Sequence, residues 1–258
     1  MVINFLLIFS LYNLVLLSVI GFGNLFAKIF FYRYDTLNYG YSGLFGILFL
    51  ILYSYTSSFF YSHSLQHNSI LILIGLFLFI YFFNKDKKKE ILFCFAIFIT
   101  LFISLIIFKT HDDFPYYHFA YSYYLTQDPL MIGTGLFNHG FRTPSSIFYL
   151  NSIFYLPFVE FYFFHLASIL ILGFVNLIFI RDLFIKLKTN NYDFIFYFSL
   201  LSILFINIFF YRIAEHGTDR SAQILIFLLF AEILFLIHMK IFNDFQLSKI
   251  LSILAIVI

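Results

Sequence analysis

Long apolar runs separated by short polar turns make up most of the chain. Seven are full length, near residues 2–22, 41–61, 68–84, 91–108, 159–180, 193–211 and 221–239, and an eighth starts near residue 247. At about 1.5 Å per residue, the full runs reach the roughly 30 Å of a hydrocarbon core, the shorter ones only just. The pattern predicts an all-α fold: a polytopic transmembrane helix bundle, one integral membrane domain over residues 1–258 with about eight spans. A span needs about 20 residues, so the last run reads as truncated within a helix. The first run has no basic lead and no small-residue cleavage signature, and reads as a retained helix rather than a signal peptide.

The one long departure from this pattern is residues 109–158, which are polar and rich in turn formers. Its side of the membrane follows from lysine and arginine placement. Lys85, Lys87, Lys88 and Lys89 interrupt the third and fourth runs, and placing them in the cytoplasm brings Lys28, Arg33, Arg181, Lys186, Lys188, Lys240 and Lys249 with them. Only Lys109, Arg142, Arg212 and Arg220 then lie on the other side, a bias of eleven to four. This arrangement requires that residues 146–157 do not cross. It puts the 109–158 loop and the turn 211–223 on the same, non-cytoplasmic face, so that two distant polar clusters become candidates for one site.

Within the loop, Asp113-Phe114-Pro115 suits an N-cap with proline in the first helical turn. A helix from about 114 to 126 places His118, Ser122 and Thr126 on one stripe among aromatics, as expected of an amphipathic helix at the membrane surface. Thr143-Pro144 reads as a second N-cap and N1 pair. It opens a surface helix with Ser145, Tyr149 and Ser152 on a polar stripe, ended by Pro157. Between them, the glycines of residues 133–140 allow tight turns and close approach to a ligand.

Composition agrees with a membrane protein: 62% hydrophobic and 11% charged, against about half and about a quarter in soluble domains. The bias towards Phe, Ile, Tyr, Asn and Lys without Trp fits an AT-rich genome. A net charge of +2 offers no basic patch for nucleic acid, and Cys94 alone excludes an intramolecular disulfide or a multi-cysteine metal site.

The candidate chemistry lies in few residues. Asp112 and Asp113 suit general-base work on a hydroxyl or binding of a divalent cation, against the plainer role of capping and solvation. The spacing of His111, Asp112, Asp113 and His118 matches no zinc pattern. His118 and His139 suit either interfacial hydrogen bonding or substrate contact, and Arg142 either snorkels or clamps a phosphate. In the second cluster, Arg212, Glu215, His216, Asp219 and Arg220 either neutralise one another or face the same substrate. Glu232, mid-span, is expected to pair with a polar residue such as Asn207 or to line a cavity. His63 and His67 read as solvated loop.

The loop's architecture resembles the GT-C superfamily, integral-membrane glycosyltransferases that use polyprenyl-phosphate sugars. More closely, HDDFPYYHF, GTGLFNHGFRTPSSIFYLNSIFYLP and EHGTDR look like elements of a group of uncharacterised bacterial multi-pass proteins. The likeness covers roughly residues 111–157 and 212–223. One departure is that the acid loop follows the fourth span here and the first in typical members. The resemblance implies a protein of the bacterial inner membrane that moves a sugar from a polyprenyl phosphate to an acceptor on the non-cytoplasmic face. Asp112 or Asp113 would activate the acceptor or help hold a metal. Arg142, with Arg212 or Arg220, would hold phosphate. Asn138 and His139 would contact sugar or acceptor, and His118, Ser145, Ser146, Glu215, His216 and Asp219 would complete the substrate site. The alternatives are a transporter or flippase for a polysaccharide or lipid intermediate, with Glu232 as coupling acid, or an assembly partner without chemistry.

Overall fold

A computed structural model describes residues 5–31, 37–107, 111–208, 219–239 and 243–257. All apolar runs form helices: α1 (Phe5–Phe30), α2 (Tyr39–Ser57), α3 (Leu65–Tyr81), α4 (Lys88–Ile106), α7 (Leu166–Lys188), α8 (Phe194–Ile208), α9 (Asp219–Met239) and α10 (Asp244–Val257). The polar loop adds α5 (Phe119–Gln127) and α6 (Ser146–Ile153), and the described residues contain no strand. Five helical segments among the described residues are long and apolar enough to cross a membrane, and α3 and α8 are shorter apolar helices. The protein is a multi-pass helical membrane protein.

Helix starts follow local chemistry. The Asn38 side chain accepts the Tyr41 N–H at 3.0 Å and caps α2, and Ser64 caps α3 by accepting the His67 N–H at 3.4 Å. The cap of α6 is Ser145, which accepts the Ile147 N–H at 3.3 Å, and not Thr143; Pro144 precedes the cap instead of opening the helix. That helix also stops before Pro157. The chain turns back through a Leu156–Glu160 bridge, with Phe158 and Glu160 at positive φ. Residues 146–157 therefore do not cross the bundle. Every residue of α6 from Ile147 to Ile153 is buried, so the helix is wedged against α2, α5 and α7 rather than showing one face to solvent.

The core is built on α7, whose apolar residues from Leu166 to Phe179 are buried throughout and which touches α2, α4, α8 and α9. On one side α1, α2 and α3 pack almost backbone to backbone. A methyl on Gly21 would lie 2.0 Å from the Gly75 carbonyl, one on Gly23 1.6 Å from that of Ser42, and one on Gly46 1.9 Å from that of Val19. Small residues at such crossings let dispersion hold helices together where lipid supplies no hydrophobic drive.

The helices alternate in direction and so divide the molecule into two ends. The turn 58–64 and residues 111–165 form the loop end. The turns 82–87 and 189–193, with the starts of α2, α4 and α10, form the lysine end, where the Lys87 Nζ donates to the Leu37 carbonyl and the Tyr39 N–H to Glu90.

At the loop end the solvated reading of His63 fails. Its ring is fully buried, with Nδ1 2.6 Å from Ser152 Oγ and Nε2 2.9 Å from Ser57 Oγ. Ser152 Oγ donates to the Tyr149 carbonyl at 2.7 Å, so the imidazole proton belongs on Nδ1 and Ser57 donates to Nε2. Asn68 completes the brace, donating to the carbonyls of His63, Ser152 and Tyr155. His67 is half-buried and bonds the Tyr53 hydroxyl at 2.8 Å. Polar residues of a short turn are buried here because α6 folds back over them.

Candidate functional site

The polar centre of the loop end is built on residues 111–118. Pro115 lies in the first turn of a π-helical segment, Phe114–His118, that leads into α5. The wide turn brings His118 back towards His111, with ring centroids 5.4 Å apart and planes 24° from parallel. Asp113 occupies the N-cap position, but its side chain makes no capping bond. It accepts the Tyr117 hydroxyl at 3.3 Å and lies 3.7 Å from His111 Nδ1. One ligand atom from each of His111, Asp113 and His118 falls within 4.8 Å of the others. His118 is buried, and the other two are half-buried.

Two imidazoles and a carboxylate suit zinc, manganese, iron or cobalt better than the all-oxygen sites of magnesium or calcium. The set fits such an ion with one rearrangement. His111 Nδ1 now accepts the Asp113 N–H at 3.2 Å, and that weak bond would have to yield if Nδ1 became a ligand. Asp112, adjacent in sequence, is exposed and lies outside the cluster.

Two carboxylates, Asp113 and Asp219, bear on Tyr117 beside the cluster. The Tyr117 phenol is pushed above its ordinary range by burial, then by the charge and hydrogen bond of Asp113, then by the charge of Asp219. Asp219, the exposed first residue of α9, therefore lies within electrostatic reach of the 111–118 segment. Arg220 is half-buried and donates to Gln223 at 3.0 Å. Arg212, Glu215 and His216 fall outside the described residues.

The remaining expected substrate residues mainly hold the loop together. Asn138 accepts the Gly140 N–H at 2.9 Å and donates to the Tyr116 carbonyl at 2.9 Å, tying the glycine turn to the π-helical segment. Arg142 is exposed, and its Nε donates to the Gly135 carbonyl at 3.3 Å. His139 is exposed, Ser145 is a cap, and Ser146 is the half-buried first residue of α6. Gly140 is required for space, since a methyl there would lie 2.4 Å from the Tyr117 ring. Ser122 and Thr126, the other two members of the His118 stripe, are buried against the protein.

The spacing of His111 to Asp113 and His118 matches no zinc pattern in the sequence, yet the wide turn at Pro115 gathers the three into one candidate cluster. Tyr117, to which the sequence alone assigns no role, braces Asp113.

Charges at the lysine end are arranged differently. Glu232 does line a cavity, but its partners are Lys249 Nζ at 2.7 Å and the Tyr41 hydroxyl, not Asn207. Asn207 instead exchanges two hydrogen bonds with Asn176, at 2.8 and 3.0 Å.

Comparison with protein-family models, curated proteins and solved structures returns no match.

Proposed function

We propose that the protein is a membrane-embedded glycosyltransferase that works at the loop end, on the non-cytoplasmic face, on a sugar carried by a polyprenyl phosphate. The observation that supports this reading best is the convergence of His111, Asp113 and His118 within 4.8 Å beside the bilayer-spanning helices. When bound there, a divalent transition-metal ion would neutralise charge developing on the leaving phosphate. Asp113, with one oxygen on the Tyr117 hydroxyl, would hold that ion through its second carboxylate oxygen, together with His111 and His118. Asp112, exposed next to it, accepts the proton of the acceptor hydroxyl as the new glycosidic C–O bond forms and the sugar–phosphate C–O bond breaks. Arg142 and Arg220, with Arg212 by its place in the sequence, are the arginines of the two clusters that would turn to a phosphate.

The test is transfer from radiolabelled polyprenyl-phosphate sugars by full-length protein in liposomes, with and without chelation and metal add-back. Asp113→Asn and His118→Gln should each lower turnover at least 100-fold, and chelation should do the same until metal is restored. Undiminished turnover in Asp113→Asn would end this reading. A transport reading has one observation in its favour, the cavity beside Glu232. It gains if Glu232→Gln abolishes proton-coupled uptake while Asp113→Asn leaves uptake intact.

A further inference from the structure

The lysine end holds a cavity of about 500 Å³ between the ends of α2, α7, α8, α9 and α10, within the roughly 300–1,000 Å³ of small-molecule pockets. Its three acids are not equivalent. Glu232 has one oxygen on Lys249 and the other on the Tyr41 hydroxyl. Asp193 has both oxygens on Lys186 Nζ, at 2.6 and 2.7 Å, and also accepts the Phe196 N–H at 3.0 Å. Asp182, in the final turns of α7, makes no hydrogen bond and no salt bridge among the described residues, although Lys249, Arg181 and Lys186 lie within electrostatic reach. A second acceptor in the same wall, the Gln246 side-chain carbonyl, is sealed from solvent and has no hydrogen-bond partner among the described residues.

A sealed acceptor without a donor, as at Gln246, is costly, and half-buried Asp182 in the same wall keeps both oxygens for donors, so the wall calls for a donor-rich ligand. Charge balance selects which kind. Lys249 offsets Glu232, Lys186 offsets Asp193 and Arg181 offsets Asp182, and the His238 ring lies 3.7 Å from Asp193. A bound cation would leave net charge in a low-dielectric cavity, whereas a neutral polyol leaves the balance intact. A vicinal diol can place its two hydroxyls on the two oxygens of one carboxylate. Phe235 and Phe245, half-buried in the lining, offer aromatic surface for the C–H face of a sugar ring.

We propose that this cavity binds a sugar or other neutral polyol, with Asp182 and Gln246 accepting hydrogen bonds from its hydroxyls. The assignment rests on the lysine end alone and does not depend on transfer chemistry at the loop end.

Equilibrium dialysis of full-length protein in nanodiscs against tritiated glucose, N-acetylglucosamine and myo-inositol tests it, with ethylammonium chloride as the cationic competitor. Saturable binding of at least one polyol is expected, weakened at least tenfold by Asp182→Ala and less by Gln246→Leu. Asp182→Asn, nearly isosteric, should weaken binding without moving the unfolding midpoint, which separates loss of the site from loss of the fold. Asp113→Asn should leave binding unchanged, so this site and the loop-end reading fail separately. Absence of saturable binding by all three polyols, binding retained in both Asp182 variants, or stronger competition by ethylammonium than by unlabelled polyol would overturn the proposal.

Discussion

The two ends of the bundle use charge in opposite ways. At the lysine end, Glu232 and Asp193 are each matched to a lysine and a further donor, and both matched pairs line one cavity. At the loop end, Asp113 has no lysine or arginine on it among the described residues; its neighbours are His111 and Tyr117. A matched pair is already satisfied and does mainly structural work, since desolvating two ions is offset only by their contact. A carboxylate among imidazoles keeps coordination capacity for something else. On the function proposed above, chemistry would belong to the loop end, and the matched pairs of the lysine end would be scaffold around Asp182 and Gln246.

The largest effect should come from unmatching a pair. Lys249→Met leaves Glu232 buried without its cation and should cost about 3–5 kcal/mol of stability. Combining it with Glu232→Leu should recover most of that, as read from unfolding midpoints in detergent. If the single and double variants unfold alike, the pair is not the structural element described. Next, Asp113→Asn should reduce transfer at least 100-fold, equivalent to about 2.7 kcal/mol of barrier, while the unfolding midpoint barely moves. A large midpoint drop would make the loop end scaffold as well and erase the contrast.

A smaller effect concerns pH. Burial first, then the neighbouring His67, lowers the His63 pKa to about 3 from its ordinary 6.5. The folded protein thus refuses a proton that the unfolded chain takes up. Stability is fully present above about pH 6.5 and falls as pH drops from there towards about 3, by about 1.4 kcal/mol per unit at most. Midpoints recorded from pH 7 to pH 4 should show this slope, and His63→Asn should flatten it. Smallest is Asn138→Ala, which removes the bond from the glycine turn to the π-helical segment and the Gly140 N–H bond within the turn. It should cost about 1–2 kcal/mol and slow transfer severalfold through misplacement of Tyr117 and His118, as a KM and kcat comparison would show.

The helices were legible because long apolar runs have one physical solution in lipid, and all eight runs appear as helices at nearly the expected places, five segments being long and apolar enough to cross. The site was legible only in part. Asp113 and His118 stand out by residue type, whereas the spacing of His111 to them matches no zinc pattern and becomes a cluster only through the π-helical turn that brings the rings together. His63 was misread because burial of a turn residue depends on α6, some ninety positions later, folding over it. Glu232 was correctly singled out as anomalous, but periodicity within one helix carries no information on which neighbour approaches. Lys249 on α10 reached it, and the guessed Asn207 was taken by Asn176.

The glycine crossings of α1, α2 and α3 also bear on how the molecule can move. Backbones this close leave little room for sliding, and we infer that these three helices act as one plate. Whatever flexing accompanies a ligand's arrival must then be taken up on the far side of α7, by α8, α9 and α10. Those helices hold much of the wall around Asp182. The plate is the anvil, and the compliance that would let a guest in and out belongs to the helices opposite it.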